Sequence, residues 1–269
     1  VTAALQPVEF TAPLVAPASP YGLDAATTWT ESTSSEALRW LPSGVRFRLR
    51  THRATSAFGI WGASWCAHPD DLTEDDVKTG PPFEDDDPDV FEAQTVWASD
   101  RLQECGNLSA FDRAEVRERA RQTFDARESI AVETDFATRM LADSPAPTGV
   151  DDVVEAVGRI EETFGATGTF GLIHARLGLL AVADDRRMIV RNPAERGVLR
   201  TPGGHRWVFG GGYATPLGDT LIATSPTYGW RSEVASREAL RASATEFVAI
   251  VERSVVVGYE AAVAAVTIT

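Results

Sequence analysis

SAFDRAEVRERARQTFDARESIAVETDFATRML, residues 109–141, decides how the rest of the chain is read, because no longer stretch is free of both Gly and Pro. Ser109, three residues before Asp112, resembles a capping box: a hydroxyl for the orphan N–H groups and a carboxylate near the positive helix end. Ala, Arg, Glu and Gln then supply high helix propensity. Apolar residues recur on a narrow helical stripe at Val116, Ala120, Phe124, Ile130, Phe136 and Met140. A helix of about 30 residues runs about 45 Å, longer than a compact domain of this size needs, so it serves as a beam for other elements.

The beam sits in a chain of 269 residues, 43% hydrophobic and 24% charged, which is ordinary for a globular protein of one large or two smaller domains. No apolar run reaches the roughly 18 residues of a membrane span, and no basic and apolar leader opens the sequence, so a soluble chain without an export signal is expected. A formal net charge of −14 argues against direct phosphate binding. Of the 25 basic residues, Lys78 is the one lysine. Arginine suits planar, bidentate pairs at subunit contacts. Two cysteines, Cys66 and Cys105, are too few for a disulfide framework.

On the N-terminal side, residues 1–43 read as an arm. Pro7, Pro13, Pro17 and Pro20 interrupt every pattern, and Trp29 and Trp40 are the main apolar anchors. Such a segment cannot offset its ordering entropy alone, so a partner surface is expected under it. GVRFRLRTH, residues 44–52, alternates Val45, Phe47 and Leu49 with Arg46, Arg48 and Arg50, a half-buried strand with one charged face. FEAQTVWASDRL, residues 91–102, is a second extended candidate, and about 40 poorly patterned residues between the two make a long projecting hairpin. On the C-terminal side, SPAPTG (144–149) is a linker. A second helix is expected over residues 151–164, with Val153, Val157, Ile160 and Phe164 on one face and Gly165 as its stop. A buried strand at 169–175, a short helix at 175–185, short extended pieces to 224, and two β-rich runs at 246–259 and 261–269 complete an α+β order.

Several stretches in this order resemble the major capsid proteins of tailed bacteriophages, which have the HK97-like shell fold, and most closely those of phages infecting actinobacteria. YGLDAATTWT (21–30) with RWLPSGVRF (39–47) is similar to the N-terminal arm entering the extended loop. WCAHPDD (65–71) through Lys78 and FEAQTVWASDRLQECG (91–106) are similar to that loop with its flanking cysteines. RARQTFDARESIAVETDF (119–136) is similar to the spine helix. GTFGLIHA (168–175), VLRTPGGHRWVFGGGYA (198–214) and LIATSP (221–226) resemble the axial domain.

The resemblance implies an N-terminal arm (1–43), an extended loop (44–105), a peripheral domain on the spine helix (106–149), an axial domain (150–240) and returning C-terminal strands (241–269). It implies subunits that form hexamers and pentamers of an icosahedral shell around double-stranded DNA, with portal, scaffold or decoration proteins as further partners. It also implies no cofactor and no catalysis, and a place in the virion capsid after assembly in the host cytoplasm. Trp29, Trp40, Trp97, Arg46, Arg48 and Arg50 are the expected inter-subunit contacts. An encapsulin-like compartment is the nearest alternative, and a soluble α+β enzyme acting on a small molecule is the alternative from another class.

Some shells of this kind weld a loop lysine to an asparagine of another subunit. Lys78 is the residue available for this, yet the only asparagines, Asn107 and Asn192, lie outside the C-terminal stretch where the acceptor falls. An unlinked Lys78 is therefore expected. Cys66 and Cys105 are the pair that would bridge the base of the loop, and whether they do stays open. CAHPDD mixes metal-ligand types without the four matched ligands of a closed zinc site, so a turn is expected there. Gly210–Gly212 lacks the Lys and Ser or Thr of a phosphate loop and reads as a tight turn. His174 has no nucleophile motif to serve and is expected to be a buried, hydrogen-bonded residue. The acidic run at 84–89 lacks the glycine and closing glutamate of a calcium loop and reads as solvated.

Overall fold

In the computed structural model the chain is described for residues 10, 19–32, 43–47, 58–73, 76, 78, 90–103, 109–241 and 246–269. Trp40, Arg48, Arg50, Cys105 and the acidic run 84–89 lie outside the described residues. In chain order, α1 (Leu23–Ala26), β1 (Thr28–Ser32), β2 (Val45–Arg46), β3 (Val90–Phe91) and β4 (Gln94–Gln103) precede the long helix α2 (Ala110–Asp143). Then come β5 (Thr148–Val150), α3 (Val153–Thr167), β6 (Leu172–Arg176), α4 (Leu179–Asp185), β7 (Val190–Arg191) and β8 (Leu199–Arg200). The remainder is β9 (Arg206–Gly210), α5 (Ala214–Leu217), β10 (Thr220–Thr224), β11 (Thr227–Ser232), β12 (Ala235–Arg241), β13 (Glu246–Tyr259) and β14 (Ala262–Ile268). None of the described helices is long and apolar enough to cross a membrane.

The beam starts where its sequence says. Asp112 N–H donates to Ser109 Oγ at 3.2 Å and Ser109 N–H to Asp112 Oδ2 at 2.9 Å, which closes the capping box. Its N-terminal half lays Val116, Ala120 and Phe124 on Phe247, Ala249 and Val251 of β13. Its C-terminal half presents Phe136, Ala137 and Met140 to a second cluster that includes Leu172, Val208 and Ile222. Along its exposed side, Arg121 pairs with Asp125 and Arg139 with Asp143 at four-residue spacing.

Two sheets are laid along this helix. A seven-stranded sheet runs in the order β5-β14-β10-β6-β9-β8-β7. Its central strands are apolar on both faces because both are covered. Ile173, Ala175, Trp207, Phe209, Leu221 and Ala223 turn toward α3, whereas Leu172, Val208 and Ile222 turn toward α2. α3 begins at Asp152, whose Oδ1 accepts from Val154 N–H and Glu155 N–H at 2.9 Å each, and ends at Gly168 with φ +66°. The stop is thus three residues beyond the expected Gly165, because Gly168 supplies the left-handed conformation that closes the helix.

The second sheet is built on β13, with β11 and β12 along one edge and β4 along the other. Here the structure corrects the expected hairpin. The candidate strand at 91–102 is split: Val90–Phe91 pairs antiparallel with Val45–Arg46, but Gln94–Gln103 pairs with residues 246–255. The long apolar partner at β13 offers ten register positions, against two at the hairpin base.

The leader is corrected as well. β1 pairs in parallel with β11, Thr28 opposite Tyr228 through Ser32 opposite Ser232, so residues 28–32 find their partner within the chain. Gly212 permits a close approach of its turn to α2: a Cβ there would lie 2.4 Å from Ile130 O and 2.7 Å from Glu133 Cβ. Gly212→Ala is therefore expected to lower unfolding free energy by at least about 1–3 kcal/mol in urea titrations, the cost of forced repacking.

Candidate assembly surface

Three parts of the chain meet at one carboxylate. Glu133 of α2 is 4% exposed, and its Oε1 accepts from Leu23 N–H at 3.1 Å while Oε2 accepts from Gly212 N–H at 2.9 Å. The glycine run that resembled a phosphate loop is a turn, and its Gly212 N–H holds an internal carboxyl group. Burial raises the Glu133 carboxyl above its usual range, outweighing the donors from Gly212, Leu23 and Gly211. Beside it, His174 Nδ1 meets Tyr213 Oη at 3.1 Å and Nε2 meets Thr224 Oγ1 at 2.8 Å. Burial pushes His174 down to about 3, so it stays neutral and fully bonded rather than offering a base.

The hairpin is fixed at its base. Phe47 packs edge-on against Phe91 at 5.2 Å and Trp230 at 5.9 Å, and Phe91 packs against Tyr259 at 5.1 Å. Arg139 of α2 donates to Val90 O at 3.3 Å and stacks over Phe91 at 4.7 Å. Its carboxylate partner Asp143 also accepts from Tyr259 Oη at 2.8 Å. Aromatic contacts of this kind contribute about 0.5–1.5 kcal/mol each beyond the area they bury.

Beyond the base, three large apolar residues among the described ones are exposed. Phe58, Ile60 and Trp65 are 85%, 96% and 91% exposed. Every hydrogen bond described for residues 58–78 closes within that stretch, including Trp61 Nε1–H to Asp76 O at 2.8 Å and Thr73 N–H to Asp76 Oδ2 at 2.8 Å. Lys78 Nζ stands 4.1 Å from the Trp61 ring centroid, a cation–π contact. His68 caps the short 3-10 turn Pro69–Asp71, so the CAHPDD motif forms a turn, and Cys66 is an exposed thiol.

The sequence-derived contact residues divide accordingly. Trp97 projects from β4 and is 64% exposed, and Arg46 is exposed at the hairpin base. Trp29 instead sits on its own chain: Nε1–H donates to Asp24 O at 2.9 Å, and the Arg231 guanidinium lies 4.7 Å from the ring centroid. Glu133 escaped sequence reading because a glutamate in a charged helix looks solvated. Its position between Ile130 and Phe136, on the apolar side of the beam, was the signal.

No protein-family model and no curated protein sequence matches the chain. In structure it is similar to the capsid of an empty GTA particle, with TM-score 0.54, 11% identity, and 98% of this chain and 94% of that one covered. It is likewise similar to the mature capsid of bacteriophage PhiM1, with TM-score 0.51, 10% identity, and 100% and 92% covered. The SrpI encapsulin of Synechococcus elongatus PCC 7942 matches at TM-score 0.50 and 10% identity, over 68% of this chain and 76% of that one. At such identities the likeness is one of fold: the chain has the α+β, HK97-like capsid fold.

Two measurements bear on these residues. Because a raised carboxyl holds its proton where the unfolded chain has released it, the contribution of Glu133 is complete below about pH 4.5 and declines as pH rises through its folded pKa. Relative to Glu133→Gln, which cannot titrate, wild-type stability in urea should therefore fall between pH 4.5 and 7, by about 1.4 kcal/mol per pH unit of displacement. A relative stability that rises over this range contradicts the burial argument. For Lys78, denaturing electrophoresis of purified protein should give a single monomer band, and a ladder would show covalent linkage.

Proposed function

We propose that this chain is the repeating subunit of a viral capsid, assembling into hexamers and pentamers of an icosahedral shell that encloses double-stranded DNA. The observation that carries this reading is the hairpin: its base is locked into the subunit while its apolar end is left uncovered, in a fold that matches capsid proteins over 98–100% of the chain. An exposed apolar stretch of this size is rare on a protein that works alone. The subunit works by association rather than turnover. The buried histidine is already satisfied on both nitrogens, and the net charge of −14 suits a container wall that should not adhere to nucleic acid.

The working division is an arm over 1–43, an extended loop over 44–105, a peripheral domain over 106–149, an axial domain over 150–240, and C-terminal strands over 241–269. Trp97 and the Arg46, Arg48 and Arg50 face are the contacts assigned to neighbouring copies, with Trp40 in the arm. Portal, scaffold and decoration proteins are the partners such a shell uses, and the virion is its location. A compartment holding protein cargo is the second reading, favoured by the encapsulin likeness but over a smaller share of both chains.

Electron microscopy of the expressed protein should show closed shells or capsomers, and nucleic acid inside particles from infected cells separates the viral reading from a protein-filled compartment. The triple change Arg46→Glu, Arg48→Glu and Arg50→Glu should leave a folded subunit that yields at least tenfold fewer particles. Normal particles from that variant would remove the arginine face from the interface.

A further inference from the structure

Two arginines face each other across the antiparallel pair β8 and β9: Arg200 stands directly opposite Arg206. Residues in that relation hold their Cβ atoms about 4.5–5.5 Å apart, and like charges so placed destabilise a sheet. Trp207 and Phe209 turn toward α3, so the alternation of the strand turns Arg206 to the other face, beside α1, where its Nη2–H donates to Ala25 O at 2.7 Å. We propose that Arg200 and Arg206 form a binding site for a small phosphate dianion, supplied as inorganic phosphate or as a mononucleotide. The site lies apart from the assembly surface, and the inference does not depend on the shell reading.

Countercharge at this spot falls short. Among the described residues, Glu195 is the carboxylate that acts on the pair, and it is bound to Arg200, whose Nε–H donates to Oε2 at 2.8 Å. Arg200 Nη1–H donates to Gly204 O at 2.9 Å. Arg206 has the Ala25 carbonyl and, among the described residues, no carboxylate at ion-pair distance. Burial, and then the Arg200 charge, pull the Arg206 guanidinium below its usual range. Other acids nearby are occupied: Glu161, on the α3 side, accepts from Thr201 Oγ1–H and from Gly203 N–H at 2.6 Å, and Asp24 pairs with Arg231 at 3.1 Å. A dianion between the two guanidiniums turns their repulsion into attraction, through parallel N–H···O bonds of the bidentate kind.

Phe170 adds a flat apolar surface to the site. Its ring is 59% exposed, and its centroid lies 5.9 Å from the Arg200 guanidinium carbon. An aromatic face beside a phosphate site can stack a nucleobase. Charge sets the size of the ligand. In a chain of net charge −14, the stretch 195–206 carries three arginines against one glutamate. A small anion meets that cationic spot alone, whereas a long phosphodiester backbone also meets the acidic remainder.

The test is isothermal titration calorimetry of the full chain at constant ionic strength, with inorganic phosphate, deoxyadenosine monophosphate, acetate and duplex DNA as separate probes. Saturable phosphate binding is expected. Arg200→Gln and Arg206→Gln should each weaken it by about tenfold or more, the loss of a charge-assisted hydrogen bond. Arg101→Gln, at an exposed arginine of the second sheet, should leave it unchanged. If the arginine variants unfold, Glu195→Gln still decides: without the competing carboxylate, phosphate should bind about threefold tighter, the order expected of one partly exposed charge. A gain in affinity for deoxyadenosine monophosphate that Phe170→Ala abolishes identifies a nucleotide as the source, and equal affinities identify inorganic phosphate. Absence of saturable phosphate binding overturns the proposal. So do equal affinity for acetate, equal weakening by Arg101→Gln, tighter binding of the duplex per phosphate, and weaker phosphate binding to Glu195→Gln.

Discussion

A buried carboxyl is tolerable only if its oxygens meet donors, and distant segments of this chain converge to supply them to Glu133. Both oxygens accept backbone N–H groups, one from the start of α1 and one from the glycine turn after β9. Those two segments are 189 residues apart in sequence, yet neither can move without leaving a buried polar group unpaired. The requirement propagates outward. Gly212 must lack a Cβ to come within reach of α2, and the docked α1 leads directly into β1, which aligns with β11.

The same helix organises a second, opposite kind of region. At its C-terminal end Arg139 and Asp143 hold the hairpin base through Val90, Phe91 and Tyr259, so that β2 and β3 belong to the rigid body. Past that base, among the described residues, Phe58, Ile60 and Trp65 are exposed. One element thus anchors a segment at its root and presents it at its end. The clamp at Glu133 and the exposed aromatics at Phe58, Ile60 and Trp65 thus lie in separate parts of the molecule.

Elements with strong local signals were legible. The capping box at Ser109 and Asp112 marked the start of α2, and β13 was found at its observed limits because its Val- and Ile-rich sequence favours a strand. β11 and β12 were missed, since TYGWRS and ASREALR are polar on one face and carry no turn signal strong enough to set their ends. The partner of Gln94–Gln103 was misassigned because two strands adjacent in sequence are the natural pair, and nothing local shows that a strand 150 residues away offers a longer register. The internal docking of residues 28–32 was missed for a related reason, as a Pro-rich flank conceals a short parallel strand.

By itself the sequence determined the beam, the acidic balance and the α+β order. These follow from propensity, charge and periodicity, which are properties of neighbours along the chain. Tertiary structure alone decided which strands pair, that Trp29 turns inward while Trp97 stays out, and that a glutamate amid a charged helix is buried and bonded to two distant backbone segments. Those outcomes depend on which distant backbone donors and apolar faces arrive at the same place, and short-range pattern carries no record of that meeting.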